Sequence, residues 1–285
     1  SLSPMLTKKG KLYGDLTIAC MDENEYMIFG SGAAQEMHRR WFESHLGKFD
    51  VKYKNRSDEF HGLAISGPKS RDVLQKVVRE EVSNKNFKFR DSKRMYVAGV
   101  PAIVNRISFT GELGYEIYVA PHYQLKLYEE LTDAGKEFNI KPFGLRALMS
   151  MRLEKNWGAW TLDYRPDFTA KETGLDTFIN WDKEFIGKKF AKDDNSKNKL
   201  IPMIVETNEI DVTYNEAVLK NDKAVGYVTS GGFAHFVNKS IALSYLDTQE
   251  LNSGKGIQVE INGDLFNCST IKEPLYDPRG QKMRS

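Results

Sequence analysis

Two carboxylates in this chain stand in strand-forming sequence. Asp15 interrupts the β-favouring run Leu12-Tyr13-Gly14-Asp15-Leu16-Thr17-Ile18, and Glu116 follows Gly114-Tyr115 at the start of another. Aspartate is depleted in strands, so Asp15 faces solvent, a loop or a site. In a site, a carboxylate can take a proton from a reacting group, balance a developing positive charge, or present two acceptor oxygens side by side. On local sequence alone, the solvent-exposed reading is the stronger one for both residues. Arg146 and Arg152 fall on one predicted helix. Helical arginines are most often solvated or ion-paired; the alternative is a bidentate grip on a ligand carboxylate. Arg152, beside Glu154, reads as half of a structural pair. Trp157, Trp160, Tyr164 and Trp181 cluster after that helix. Such a cluster is usually core or pocket wall, and the sharper alternative is a cage for a methylated ammonium.

Other chemistry is poorly represented. Gly30-Ser31-Gly32-Ala33-Ala34-Gln35 follows a predicted strand, opens a helix and precedes Asp50 by the spacing of a dinucleotide fingerprint. Its third glycine position is Gln35, and the next strand lacks the continuous apolar run of a buried parallel sheet. A tight strand-to-helix turn is the plainer reading. His38, His45, His61, His122 and His235 form no metal or triad pattern, so no metal site is expected. Cys20 and Cys268 are the only cysteines, and two buried thiols in a reducing compartment are expected.

Hydrophobic periodicity supplies the elements that must hold these groups. Strands are expected at Leu12–Ala19, Glu25–Phe29, Phe49–Tyr53, Leu63–Ile65, Val100–Ser108 and Tyr115–Val119. Helices are expected at Ala33–Leu46, from Ser66-Gly67-Pro68 to Val77, at Tyr123–Glu137 and at Leu145–Glu154. This order suits an antiparallel or mixed sheet with helices on one face, an α+β arrangement. Asp163–Ala170 reads as loop and Lys188–Lys199 as a polar linker. Beyond it, short strands at Ile201–Val205, Ala224–Thr229, Ser240–Leu246, Ile257–Ile261 and Leu265–Ile271 suggest a small β-barrel or sandwich.

The 285 residues are 40% hydrophobic and 28% charged, enough for one large or two to three small domains. Lys plus Arg is 41 against 39 Asp plus Glu, a net charge of +2 without the basic bias of a nucleic-acid binder. The apolar runs fall short of a membrane span.

Five segments in a fixed order resemble one family. They are Met5-Leu6-Thr7-Lys8-Lys9-Gly10 leading into Asp15-Leu16-Thr17; Ser108-Phe109-Thr110-Gly111-Glu112-Leu113-Gly114-Tyr115-Glu116; Gly144-Leu145-Arg146 through Met151-Arg152-Leu153-Glu154-Lys155; Phe185-Ile186-Gly187-Lys188; and Val228-Thr229-Ser230-Gly231-Gly232. Together they resemble the folate-binding aminomethyltransferase (glycine cleavage T-protein) family. The nearest likeness is to the C-terminal, tetrahydrofolate-handling halves of dimethylglycine and sarcosine dehydrogenases and oxidases. The resemblance implies a cloverleaf around a folate pocket, with ferredoxin-like α/β parts and a C-terminal β-barrel. It divides the chain into a folate-binding domain over residues 1–190 and a barrel over 199–285. Relatives carry an earlier segment before the position of Leu2, so a fragment of a longer polypeptide is expected.

The same resemblance implies roles. Asp15 matches the pocket aspartate near the reactive nitrogens of tetrahydrofolate, where relatives often have two acids and this chain has Gly14 first. Leu2, Met27, Phe29 and Ser31 would line the pocket, with Tyr115 also on the cofactor. Phe109 would stack on the pterin, Glu116 would bond its amino and ring N–H groups, and Arg146 would meet the folate tail. The implied reaction moves a methylene equivalent from an N-methylglycine-derived iminium, or from formaldehyde, to give 5,10-methylenetetrahydrofolate. Flavin chemistry would belong to a partner domain or subunit, no flavin site being expected here. The compartment would be the cytoplasm or the mitochondrial matrix. Alternatives are a T-protein acting on an aminomethyl-lipoyl carrier, a folate-dependent demethylase or methyltransferase, and a non-catalytic folate-binding or assembly module.

Overall fold

A computed structural model describes residues 1–207, 209–251 and 256–285. The first sheet contains β1 (Leu2–Leu6), β2 (Leu12–Asp22) and β3 (Glu25–Phe29), antiparallel and in that order. A short 3-10 turn at Gly32–Ala34 then leads into α1 (Gln35–Leu46).

The second sheet is built from β4 (His61–Ser66), β5 (Ser92–Val97), β6 (Val100–Asn105) and β7 (Gly114–Val119), in the spatial order β4-β7-β6-β5. Helix α2 (Ser70–Val77) follows β4, and α3 (Gln124–Gly135) follows β7. Strand alternation assigns its two faces. Tyr115, Ile117 and Val119 join Ile65, Val104 and Met95 on the face buried against Val73 and Leu74 of α2 and Leu127 and Leu131 of α3. Glu116 and Tyr118 therefore stand on the other face, turned away from the helices.

Helices α4 (Leu145–Glu154), α5 (Ala170–Thr173) and α6 (Lys188–Lys192) lead to the last unit. The start of α5 is set by a capping box: Thr169 Oγ1 accepts from Glu172 N at 3.1 Å, and Glu172 Oε2 accepts from Thr169 N at 2.7 Å. Six strands follow: β8 (Asn198–Val205), β9 (Ala217–Lys220), β10 (Lys223–Ala234), β11 (Lys239–Asp247), β12 (Ile257–Ile261) and β13 (Asp264–Thr270). They close into a barrel in the order β10-β11-β8-β13-β12-β9, with Met203, Val205, Val218, Val228 and Val259 in its core. Closure satisfies every strand edge. The fold is thus α+β with a C-terminal barrel.

A buried ionic hub fastens α4 to that barrel. Arg152 and Asp163 are 1% and 0% exposed and pair at 2.7 Å. Arg152 Nη2 donates to Ser230 Oγ at 2.6 Å, and Asp163 accepts from Thr229 Oγ1 at 2.5 Å and from Ala159 N at 2.9 Å. Tyr245 Oη donates to the Asp163 carbonyl at 2.8 Å. Arg152 is structural, as expected, but its partner is Asp163 rather than Glu154. Helical residues two apart point in different directions, and Glu154 instead accepts from the Phe236 backbone at 2.8 Å.

Several expectations need correction. Residues 49–53 form no strand: Phe49 and Val51 are exposed, with no neighbouring strand to pair them. Strands β1, β5 and β9 were not expected. Pro4 lies in β1, an edge strand where its missing N–H costs nothing. The linker is shorter than expected, because Lys188–Lys192 forms α6 and Asn198 already belongs to β8. Cys20 is exposed rather than buried. No helix among the described residues is long and apolar enough to cross a membrane.

Candidate functional site

Strand register brings together residues that are far apart in sequence. Leu2 pairs with Thr17 and Pro4 with Asp15 across β1 and β2; Thr17 pairs with Phe29 and Ala19 with Met27 across β2 and β3. Paired residues share a face, so Leu2, Asp15, Met27 and Phe29 stand on one side of the first sheet. Ser31 follows that sheet, in extended conformation, its carbonyl accepting from Ala34 N at 3.0 Å. Just before Gly14-Asp15 the register slips. Met5 pairs with Gly14 but Leu6 pairs with Leu12, which leaves Tyr13 as a bulge. Bulges bend a strand and re-aim the next side chain.

The Glu116 face of the second sheet meets this face. The Phe29 ring lies 4.7 Å from the Tyr118 ring, and Tyr118 Oη donates to Glu116 Oε2 at 2.6 Å. Arg94 of β5 also pairs with Glu25 of β3, which braces the two sheets. Glu116's other oxygen has no protein donor among the described residues. Its register neighbour Asn105 is buried and keeps an unpartnered side-chain N–H₂ group.

Beside Glu116 opens a cleft of about 760 Å³, walled by β4, β7, the starts of α2 and α4 and the end of α3. Glu116 and Phe109 line it. Phe109 runs nearly parallel to Trp157, with ring centroids 6.5 Å apart and planes 22° apart, at the wide end of aromatic stacking. Trp157 therefore backs Phe109 without itself lining the cleft, whereas Trp160, Tyr164 and Trp181 pack into the core beneath β1 and β2. Not every expected residue gathers here. Tyr115 touches the cleft, but its ring belongs to the helix-packed core, 1% exposed and 5.7 Å from Phe87. Arg146 is exposed in the first turn of α4, where Leu145 and Leu148, not Arg146, line the cleft. Asp15, Leu2, Met27, Phe29 and Ser31 lie outside the cleft lining, and of these Phe29 touches Tyr118, the hydrogen-bond partner of Glu116.

Burial perturbs both carboxylates. Burial raises the Asp15 pKa to about 6, opposed only by a hydrogen bond from its own backbone N–H. Among the described residues no cation or side-chain donor holds it. Burial also raises Glu116, against the lowering effect of the Tyr118 hydroxyl. Tyr118 is raised too, mainly by burial, so it stays a neutral donor. Asp15 is thus poised to exchange a proton near neutral pH, and Glu116 keeps one oxygen free for a ligand donor.

Residues 1–183 match the model of the GCVT N-terminal domain, and residues 198–277 match that of the glycine cleavage T-protein C-terminal barrel domain. The chain belongs to the glycine cleavage T-protein family. It is 36% identical over 283 residues to mitochondrial dimethylglycine dehydrogenase of Homo sapiens, covering 96% of this chain and 33% of that protein. It is 32% identical over 283 residues to an aminomethyltransferase of Caldanaerobacter subterraneus subsp. tengcongensis, covering 98% of this chain and 75% of that one. The chain therefore spans about a third of the length of the dimethylglycine dehydrogenases it matches. The crystal structure of glycine cleavage system aminomethyltransferase T from Bartonella henselae has the same fold, with a TM-score of 0.85 at 20% identity over 97% of this chain and 76% of that one.

Within this family fold, the Gly30-Ser31-Gly32 turn follows a strand of an antiparallel sheet, not a parallel βαβ unit, so it is the tight strand-to-helix kind. Gly14 has a steric reason. A Cβ there would lie 2.8 Å from His38 Nε2, so the space a second acid would need is filled by His38. Gly14→Ala is accordingly expected to destabilise the protein by about 1–3 kcal/mol, the cost of overpacking, read by urea unfolding. A change below about 0.5 kcal/mol, the scale of ordinary surface substitutions, would mean His38 moves aside freely. Tyr118 and His38 were not singled out for the site from sequence. Tyr118 carried a signal, since two residues from Glu116 on a strand places it on the same face.

Proposed function

We propose that this chain is a tetrahydrofolate-dependent one-carbon transferase module, with a folate-binding unit over residues 1–190 and a barrel over 199–285. The observation that carries this reading is the pairing of two sheet faces. One bears Asp15, a half-buried carboxylate without a cation; the other bears Glu116, which has one free oxygen beside an aromatic-walled cleft. Bound tetrahydrofolate would supply the nucleophilic nitrogens that take up the one-carbon unit. Glu116 would accept from the amino and ring N–H groups of the pterin, with Phe109, backed by Trp157, as its aromatic wall. Asp15, ionised above about pH 6, would take the proton the nitrogen sheds and favour the cationic iminium donor. Arg146, exposed and without a protein partner among the described residues, is free to meet a tail carboxylate.

The donor would be an N-methylglycine-derived iminium or formaldehyde, and the product 5,10-methylenetetrahydrofolate. The likeness to dimethylglycine dehydrogenase supports a flavin-dependent domain or subunit as the partner that oxidises the amine. A second reading, transfer from an aminomethyl-bearing carrier protein, is supported by the 75% coverage of the bacterial aminomethyltransferase. Supplying formaldehyde or an aminomethylated carrier in separate assays would decide between the two donors.

Glu116→Gln tests the pterin contact. It keeps the shape and one acceptor but loses the charge, so affinity for tetrahydrofolate is expected to fall by about 1–3 kcal/mol. Anaerobic fluorescence titration reads this, and unchanged affinity would remove Glu116 from the binding site.

A further inference from the structure

His38 lies in the first turn of α1, 5% exposed, and takes no part in the chemistry above. Its Nε2 is 2.8 Å from the carbonyl oxygen of Tyr13. A carbonyl can only accept, so Nε2 carries the hydrogen and donates it. Burial lowers the His38 pKa and keeps the ring neutral. The acceptor is informative. Tyr13 is the bulged residue of β2, the one the register leaves without a partner on β1. The ring is also wedged against both neighbouring strands. A Cβ on Gly14 would lie 2.8 Å from Nε2, and one on Gly30 would lie 3.1 Å from Nδ1. From behind, Trp160 closes on it with ring centroids 5.8 Å apart. Both glycines and the bulge are needed for the ring to sit there, and Asp15 is the second residue after the bulge.

We infer that His38 is a positioning residue: its hydrogen bond to the bulge carbonyl of Tyr13 fixes the local course of β2 and so aims the Asp15 carboxylate onto the site face. An unheld bulge could relax and let Asp15 turn toward water. The inference rests on the proposed role of Asp15 for its catalytic consequence, but the aiming of Asp15 can be read without any ligand.

The test compares His38→Gln, whose amide N–H can reach Tyr13, with His38→Leu, which fills the space without a donor. The first readout is the titration of the Asp15 carboxyl by carbon-13 NMR, its signal assigned by its loss in Asp15→Asn. In the wild type and His38→Gln the midpoint stays near its raised value of about 6. In His38→Leu it falls toward the ordinary aspartate value of about 3.9. The second readout is transfer to tetrahydrofolate. His38→Leu should lower kcat by up to about 10²-fold, the scale of an ångström-sized misplacement, while KM for tetrahydrofolate changes little. His38→Gln should restore most of the rate. Should His38→Leu fail to fold, His38→Asn replaces it, because its shorter side chain stops short of Tyr13. A wild-type Asp15 midpoint in the donor-less variant would overturn the inference, as would equal loss in His38→Gln. A wild type that transfers nothing would sink the proposed function instead, and the ligand-free titration would still decide the role of His38.

Discussion

Asp163→Ala is expected to cost about 3–5 kcal/mol of folding stability, because it strands the buried Arg152 guanidinium without its counter-charge. Arg152 is 1% exposed and Asp163 0%, so water cannot replace the lost partner. The change also orphans the Ala159 amide and leaves the Thr229 hydroxyl only the Leu243 carbonyl as acceptor. A loss of this size is a large fraction of a domain's total stability. The double variant Arg152→Met/Asp163→Leu should lose less than Asp163→Ala alone, since it removes both charges together. Urea unfolding of the three proteins measures this. A single-variant loss below about 1 kcal/mol, the scale of an exposed ion pair, would show that the hub is hydrated and does not fasten α4 to the barrel.

Asp15→Asn should act in opposite directions on function and stability. Asparagine keeps the size of the side chain but cannot take a proton. Transfer to tetrahydrofolate should therefore fall by about 10²- to 10⁴-fold, the range for a lost general base, with tetrahydrofolate affinity nearly unchanged. Stability should move the other way. The folded-state pKa of Asp15 is raised from 3.8 to about 6, so between these values the folded protein holds a proton that the unfolded chain has released. Its contribution is fully present below pH 3.8 and is lost as pH rises through about 6. Above that, an ionised carboxylate sits desolvated without a cation, at a cost of about 3 kcal/mol. Asp15→Asn removes that cost and should stabilise the protein by about 1–2 kcal/mol at pH 8 but much less at pH 4. Urea unfolding at the two pH values checks the sign. Equal effects at both would mean that Asp15 is not desolvated, and parallel losses of binding and transfer would deny it a catalytic role.

How much of this was legible depends on whether the deciding interaction is local. The faces of β7 follow from alternation, so Glu116 with Tyr118 outward and Tyr115 with Ile117 inward could be read from the sequence. The same rule separates Tyr115 from Glu116, although both were expected at the cofactor. The boundaries of β3, α4 and β12 were also readable, because each is a short run with a clear apolar period. Strands β1 and β9 were not, since Pro4 breaks one pattern and the other is only four residues long. Residues 49–53 erred the other way: β propensity without a neighbouring strand makes no sheet. The bulge at Tyr13 is a matter of register between β1 and β2, which no local window contains. His38 was invisible for the same reason, its meaning lying in the two glycines and the carbonyl it packs against.

The most direct test of the central claim is an anaerobic calorimetric titration with tetrahydrofolate of the wild type, Glu116→Gln and Asp15→Asn in parallel. The account predicts micromolar binding by the wild type, weakening in Glu116→Gln, and near wild-type affinity in Asp15→Asn. Absence of binding by a well-folded wild type, or equal affinity in all three, would contradict the claim that these two carboxylates form a folate site.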